Sequence, residues 1–338
     1  MVKRIPAATL AAALLSATVC CPIFSPVLAQ GTAANAAARF PSKPIRLIVP
    51  YAAGGGADVV TRPVAHKLGE ALGQPILYEN QGSSGGIVAA QAVARATPDG
   101  YTLLLGSGSI QAINPSLFTN LPYESPRSFA PITIIANAPL VLVVNGKFPA
   151  RTLQEVIAYG KANPGKINWG SAGSSIGLLG IELMQLKAGI KVQHIPYKGS
   201  GPAYAAVLAG ELDMFLVNVG VVAGGLKDGR VRAIANGGAQ RLAAIPDIAT
   251  FAELGMKGYE VGSWYGFLAT SGTPKPIIDR IAVETIRILK TPEITTLFNS
   301  QGAYAVANTP EEMGELINRE IGMWAEVVKA AGIKPQPL

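Results

Sequence analysis

A short β-rich run, then a turn of glycine and serine, then a stretch with helical spacing: this order recurs along the chain and constrains it more than anything else. Residues 45–49 lead through the glycine-rich 52–57 into an amphipathic 58–72, and 76–78 lead through 82–86 into 87–96. Residues 102–105 lead through 106–109 into a segment ending near Phe118, and the runs 140–144, 166–169 and 193–195 each precede another helix-like stretch. Strands alternating with helices of this length predict an α/β fold of mainly parallel sheets with helices on both faces. There are more such units than one ordinary sheet needs, and a length of 338 residues predicts about two domains. The apolar runs 138–144 and 259–269 are long enough to bridge two lobes. The C-terminal segments 276–289 and 310–331 are expected to fold back onto the first. This predicts lobe 1 from residues 40–139 plus 264–338 and lobe 2 from 140–263, joined by paired crossings in a hinge suited to closing on a ligand.

The first residues stand outside that pattern. A basic start, Lys3-Arg4, an apolar stretch to Phe24 and a small residue at Ala29 read as a secretory signal peptide over 1–29, cleaved near Ala29. Pro22 and Pro26 break the apolar run, which weighs against a membrane anchor. Both cysteines, Cys20 and Cys21, leave with this leader, so no disulfide framework or thiolate metal site is expected in the mature chain. The formal charge falls from +7 to a mild +5 as Lys3 and Arg4 go. No Lys/Arg run or aromatic-basic interleaving appears, so no nucleic-acid partner is expected.

Function is sought where ligands lie in open α/β sheets, beyond the carboxyl ends of the strands. Four Gly/Ser turns occupy such places: 53–56, 82–86, 106–109 and 170–175. Glycine lets a ligand approach the backbone, and N–H groups at helix starts attract anions. None of the four carries a dinucleotide or P-loop signature. Gly173-Ser174-Ser175-Ile176-Gly177 fits G-x-S-x-G between a strand and a helix, which leaves a secreted serine hydrolase as a distant alternative. Against it, the last histidine is His194 and the only acid between is Glu182, on the helix that follows at once. His66 reads as a solvated helix residue and His194 as a packed or edge strand residue, so neither a metal site nor a cofactor is expected. Glu211, Asp213, Glu311 and Glu312 read as solvated turn and helix-start charges. Trp264-Tyr265 reads as core, though placed at the return crossing beside the cleft.

At these residues the chain resembles the extracytoplasmic solute receptors of tripartite tricarboxylate transporters, the Bug-type receptors. The likeness runs from about Pro41 to Pro335. It rests on Val49-Pro-Tyr-Ala-Ala-Gly-Gly-Gly-Ala-Asp58, Pro98-Asp-Gly-Tyr-Thr-Leu-Leu-Leu-Gly106, Ala112-Ile-Asn-Pro-Ser-Leu117, Pro196-Tyr-Lys-Gly-Ser-Gly-Pro202 and Ser263-Trp-Tyr-Gly266, in that order. The resemblance implies a non-enzymatic periplasmic binding protein of type II-like, two-lobed fold, a Venus flytrap. Such a monomer captures a small organic carboxylate and passes it to membrane permease subunits. A receptor that signals to a membrane sensor is the alternative.

The resemblance also implies that the carboxylate is held largely by backbone N–H groups and waters at the first turns: Tyr51, Ala53, Gly54, Gly55, Gly56, Gly85 and Gly86. Later loops set ligand choice: Ser107, Gly108, Ser109, Ser171, Ala172, Ser174, Ser175, Val217 and Asn218. Three departures bear on the ligand. Ile87 stands where the family usually has Asn, Leu178 is the nearest match to a usual His, and Val217-Asn218 replaces a common Asp-Asn. Val217 removes an acceptor suited to an amine or hydroxyl, so an apolar or aromatic monocarboxylate is expected in preference to an amino acid or citrate. If backbone donors carry affinity, Ser107→Ala and Ser171→Ala each cost only about 1 kcal/mol.

Overall fold

The computed structural model describes residues 39–338 except 52, 54, 55, 83, 173, 174, 198 and 199. The expected leader lies outside the described residues. Within them, no helix is long and apolar enough to cross a membrane.

The first half-sheet is built on β1 (Ile45–Val49), which pairs in parallel with β2 (Ile76–Asn80) and β3 (Thr102–Ser107). Buried aliphatic residues make β1 a strand with both faces covered: Ile45, Leu47, Ile48 and Val49 are buried and only Arg46 reaches solvent, where it grips Glu79 at 2.8 Å. Its crossover helices are α1 (Gly56–Leu72) and α2 (Ile87–Ala94). After β3, a π-turn at Ser109–Ile113 runs into the short α3 (Asn114–Leu117).

The chain then enters β4 (Phe129–Asn145), a 17-residue strand of which the sequence pattern disclosed only the second part. Over Phe129 to Pro139 it pairs antiparallel with β9 (Gly262–Thr270), which also lies antiparallel on β3. From Leu140 it pairs instead with β7 (Met214–Asn218) and β8 (Val231–Asn236), again antiparallel. The second half-sheet continues in parallel from β7 to β5 (Asn168–Ala172) and β6 (Gln193–Tyr197). Its helices are α4 (Leu153–Ala162), α5 (Ser175–Ala188), α6 (Ser200–Ala209) and α7 (Val219–Lys227). The strand order is β2-β1-β3-β9-β4-β7-β5-β6, with β10 (Tyr304–Ala305) also on β4. Each half thus has a parallel trio, and the antiparallel members include the crossing strands themselves.

At the changeover three backbone bonds close a ring: Leu140 N–H donates to Val261 C=O, Val261 to Gly237 and Gly237 to Leu140, at 2.8–2.9 Å. A Cβ on Gly237 would lie 2.5 Å from the Val261 oxygen, so only glycine lets the three segments approach this closely.

Helices α8 (Lys275–Leu289) and α9 (Pro292–Ser300) pack on the first half, α8 against α1 and β4. The last helix, α10 (Pro310–Ala330), starts in a capping box in which Thr309 and Glu312 satisfy each other's backbone N–H groups. Its apolar stripe does not serve the first half alone. Met313 and Ile317 pack with Ile48, Leu104 and Ile134. Trp324, Val327 and Val328 pack with Leu179, Leu183 and Leu216 of the second half. At about 31 Å long, 1.5 Å per residue, α10 outreaches one half and joins both cores.

Candidate ligand site

A cavity of about 230 Å³ opens where strand ends, helix starts and both crossings converge. Tyr51 enters it from the end of β1 and Ser109 from the turn after β3. Ser263 and Tyr265 enter from β9, while Trp264 between them points to the other face, as alternation in a strand requires. From the second half come Leu140 of β4, Ile176 and Gly177 in the first turn of α5, Ser200 at the start of α6, and Leu216, Val217 and Asn218 closing β7.

Tyr51 is fixed from behind. The Asn80 side-chain N–H donates to the Tyr51 carbonyl at 3.0 Å and to Asp58 Oδ1 at 3.1 Å, and Arg62 Nη2 donates to the same Asp58 oxygen at 2.7 Å. The Tyr51 and Tyr265 rings meet edge to face, centroids 5.6 Å apart at 87°. Burial pushes both phenols above their ordinary pKa, so both remain neutral hydroxyl groups able to donate. Ser107 lies near the Tyr51 hydroxyl and Ser263 near the Tyr265 hydroxyl, and each offsets part of that rise.

Among the described residues lining this cavity there is no Lys, Arg, His, Asp or Glu. Three helices, α5, α6 and α7, begin at the cavity, and a helix N-terminus attracts anions through its N–H groups and dipole. Asn218 is the N-cap residue of α7, and its side-chain N–H donates to Ala138 C=O at 3.3 Å, tying β7 to the changeover of β4. The arrangement can hold a small anion with neutral donors on one side and pack an apolar body on the other.

Of the residues expected from sequence, Tyr51, Ser109, Val217 and Asn218 are brought together in the cavity. Gly54, Gly55 and Ser174 lie outside the described residues. Gly56 opens α1, Ala172 ends β5 and Ser175 opens α5. Ala53 sits in an exposed turn. Gly85 and Gly86 have φ of 64° and 80°, and the Asn114 side chain donates to the Gly85 carbonyl at 3.2 Å. Ser107 lies near the Tyr51 hydroxyl, and a Cβ on Gly108 would lie 3.0 Å from Trp264 Nε1. Ser171 on β5 is buried, its Oγ 2.7 Å from His194 Nε2, the Ser/His contact seen among the described residues. Burial lowers the His194 pKa, which keeps the ring neutral.

Leu140, Ile176, Gly177, Ser200, Leu216, Ser263 and Tyr265 were not foreseen as site residues. The signal for Ser200 was present, since the sequence Lys198-Gly-Ser-Gly201 has the same Gly/Ser composition as the four segments singled out.

Two half-sheets joined by paired crossings, with a cavity at the strand ends between helix starts, define a two-lobed α/β fold of the periplasmic-binding-protein kind. Residues 60–333 match the family of tripartite tricarboxylate transporter receptors, and the chain belongs to that family. It is 36% identical over 312 residues to BugT of Bordetella pertussis, covering 91% of this chain and 95% of BugT. Among solved structures it is similar to Rpa4515 of R. palustris with adipate, at 30% identity and a TM-score of 0.74. That match covers 88% of this chain and 100% of the other. It is also similar to the periplasmic binding protein BugD, at 33% identity and a TM-score of 0.70, again over 88% of this chain and 100% of the other.

Proposed function

We propose that this protein is a periplasmic solute-binding receptor that captures a small organic carboxylate in the 230 Å³ cavity and delivers it to the permease subunits of a tripartite transporter. Membership of the receptor family, the leader expected over 1–29 and the relative with adipate support this reading. The observation that carries it is a cavity at the strand ends with hydroxyl groups and three helix starts but no charged side chain among its described lining. The two lobes are residues 40–139 plus 264–338 and residues 140–263, and they close on the ligand as a monomer.

The ligand is a carboxylate with an apolar or aromatic body. Its charge is met by Tyr51, Ser109, Ser263 and Tyr265 and by the helix starts. Its body lies on Leu140, Ile176, Leu216 and Val217. The glycine turns of the first half, 53–56 and 85–86, lie next to this wall in sequence and belong to the binding surface. Neither a metal nor a cofactor takes part.

The test is a thermal-shift and calorimetric comparison of benzoate, adipate, citrate and aspartate on the purified chain. Ligand that binds only the native state raises stability by about 2.7 kcal/mol at a hundredfold excess over Kd. A rise with benzoate or adipate larger than with citrate and aspartate is expected. Tight citrate or aspartate binding with none for benzoate would overturn the ligand class, and no shift with any carboxylate would overturn the receptor reading.

A further inference from the structure

The two halves of the molecule differ in charge. Residues 140–263 hold twelve Lys and Arg against eight Asp and Glu, whereas residues 40–139 and 264–338 together hold thirteen of each. Part of the excess gathers at one end of the second half. Lys161 lies in the last turn of α4, and Lys166 and Lys191 stand in the turns that lead into β5 and β6. Lys187 lies in the last turn of α5, and Lys257 in the segment that runs back along that helix. No Lys/Arg run announces this group, because separate turns supply its members and only the fold brings them together.

The segments are fastened to one another. Gly165 N–H donates to the Lys191 carbonyl at 2.8 Å, a Cβ on Gly160 would lie 3.0 Å from the Ile190 side chain, and Lys187 Nζ donates to the Lys257 carbonyl at 2.9 Å. All five lysines are exposed. Among the described residues none of the five forms an ion pair, whereas Lys43, Lys67 and Lys275 of the first half pair with Asp99, Glu293 and Asp279. Glu211 and Asp213 border the group just before β7, where Asp213 accepts from the Asn168 N–H at 2.8 Å. The face lies away from the ligand cavity: Lys187 is eleven residues beyond Ile176, about 17 Å along α5 at 1.5 Å per residue.

We propose that this lysine face binds an anionic lipid surface, so that the second half holds the receptor at the membrane while the cleft stays free. The chemistry of the face favours lipid over a protein partner. Protein interfaces are enriched in aromatic residues, Met and Arg and depleted in Lys, and here the charges are all lysine, with Leu186 the exposed large apolar residue beside them. A lysine ammonium is a strongly hydrated point charge that needs no fixed partner geometry. Several together are attracted to a layer of anionic headgroups, each adding its own increment. The proposal rests on the receptor reading only in that a receptor serving a permease works beside a membrane, and its test uses no carboxylate, so the two fail separately.

The test is co-sedimentation of the purified chain with vesicles of phosphatidylcholine alone and of phosphatidylcholine with about 30% phosphatidylglycerol, at about 0.05 M and about 0.3 M salt. Binding to the anionic vesicles at low salt is expected, with little to the neutral ones and a steep loss at high salt as the charges are screened. Lys161→Gln, Lys166→Gln and Lys191→Gln should each weaken it about fivefold and the three combined about a hundredfold. Lys43→Gln, Lys67→Gln and Lys290→Gln combined remove the same charge from the first half and should cost less than about threefold. Equal losses in the two triple variants would show that net charge acts without a face and overturn the proposal. Equal binding to both kinds of vesicle, or to neither, would also overturn it. Retention on immobilised poly-glutamate without binding to anionic vesicles would assign the face to an acidic protein segment and overturn the lipid assignment. Urea unfolding midpoints show that the variants are folded, and if the triple variant is not, the three single variants decide.

Discussion

The two walls of the cavity are made of different chemistry. The first-half wall and the return crossing offer hydroxyl groups, on Tyr51, Ser109, Ser263 and Tyr265. The second-half wall offers Leu140, Ile176, Leu216 and Val217, with Ser200 and Asn218 beside them. The first wall is braced by the Asn80, Asp58 and Arg62 contacts behind Tyr51. The second is braced by the ladder that pairs Leu140 to Val144 with β7. The difference separates two tasks that an arginine clamp would merge. Neutral donors orient an anion at roughly 1 kcal/mol per hydrogen bond, and apolar area contributes about 25 cal/mol per Å² without demanding a second charge.

The largest effect should come from putting a charge on the apolar wall. Val217→Asp places a carboxylate at a site with 2% exposure, facing a ligand of the same sign. Benzoate affinity should fall at least about a hundredfold and stability by about 3 kcal/mol, because an unpaired buried charge is costly. Calorimetry and urea unfolding read the two effects. Val217→Thr keeps the shape without the charge and should stay folded with a smaller loss, about fivefold. If Val217→Asp bound benzoate as well as the wild type, the walls would not divide the tasks as stated. On the opposite wall, Tyr265→Phe and Tyr51→Phe each remove one hydroxyl and leave the ring in place. Each should weaken benzoate about tenfold, near the upper end of a single hydrogen bond, with unfolding midpoints unchanged. An equal loss for a neutral amide such as benzamide would show that the hydroxyl groups do not read the anion.

The same contrast explains what was legible in the sequence. The strand–turn–helix order disclosed β1, β2 and β3 of the first trio and β5 and β6 of the second, because each of these runs is followed by a glycine-marked segment, whereas β7 was not singled out. It did not disclose the first part of β4 or its antiparallel pairing with β9, whose run 259–269 was read only as a crossing. Pro131 and Pro139 interrupt that part of β4 and the bulges near Thr133 and Ala136 break its alternation, so the local pattern does not read as one strand. The polar half of the site was partly readable, since Tyr51 and Ser109 stand in glycine turns. The apolar half was not, because Leu140, Ile176 and Leu216 look like any core residue until the fold leaves them at the end of a strand or the start of a helix. Glu320 was invisible for a related reason. An acid on an amphipathic helix reads as solvated, whereas the fold sets its carboxyl against the indole N–H of Trp264.

The smallest effects lie among the serines, and they sharpen the comparison most finely. Ser109 lines the cavity, Ser107 lies near the Tyr51 hydroxyl, and Ser171 is spent on His194. Ser109→Ala should weaken benzoate by about 1 kcal/mol, or fivefold. Ser107→Ala should cost less, about twofold, because Tyr51 is still held through its backbone by Asn80. Ser171→Ala should leave affinity unchanged and lower stability by about 1 kcal/mol, since it strands His194 in a part-buried place without its partner. Calorimetry and urea unfolding on the three variants give the order directly. A loss of affinity in Ser171→Ala equal to that in Ser109→Ala would extend the polar wall into the second half-sheet and remove the division between the two sides.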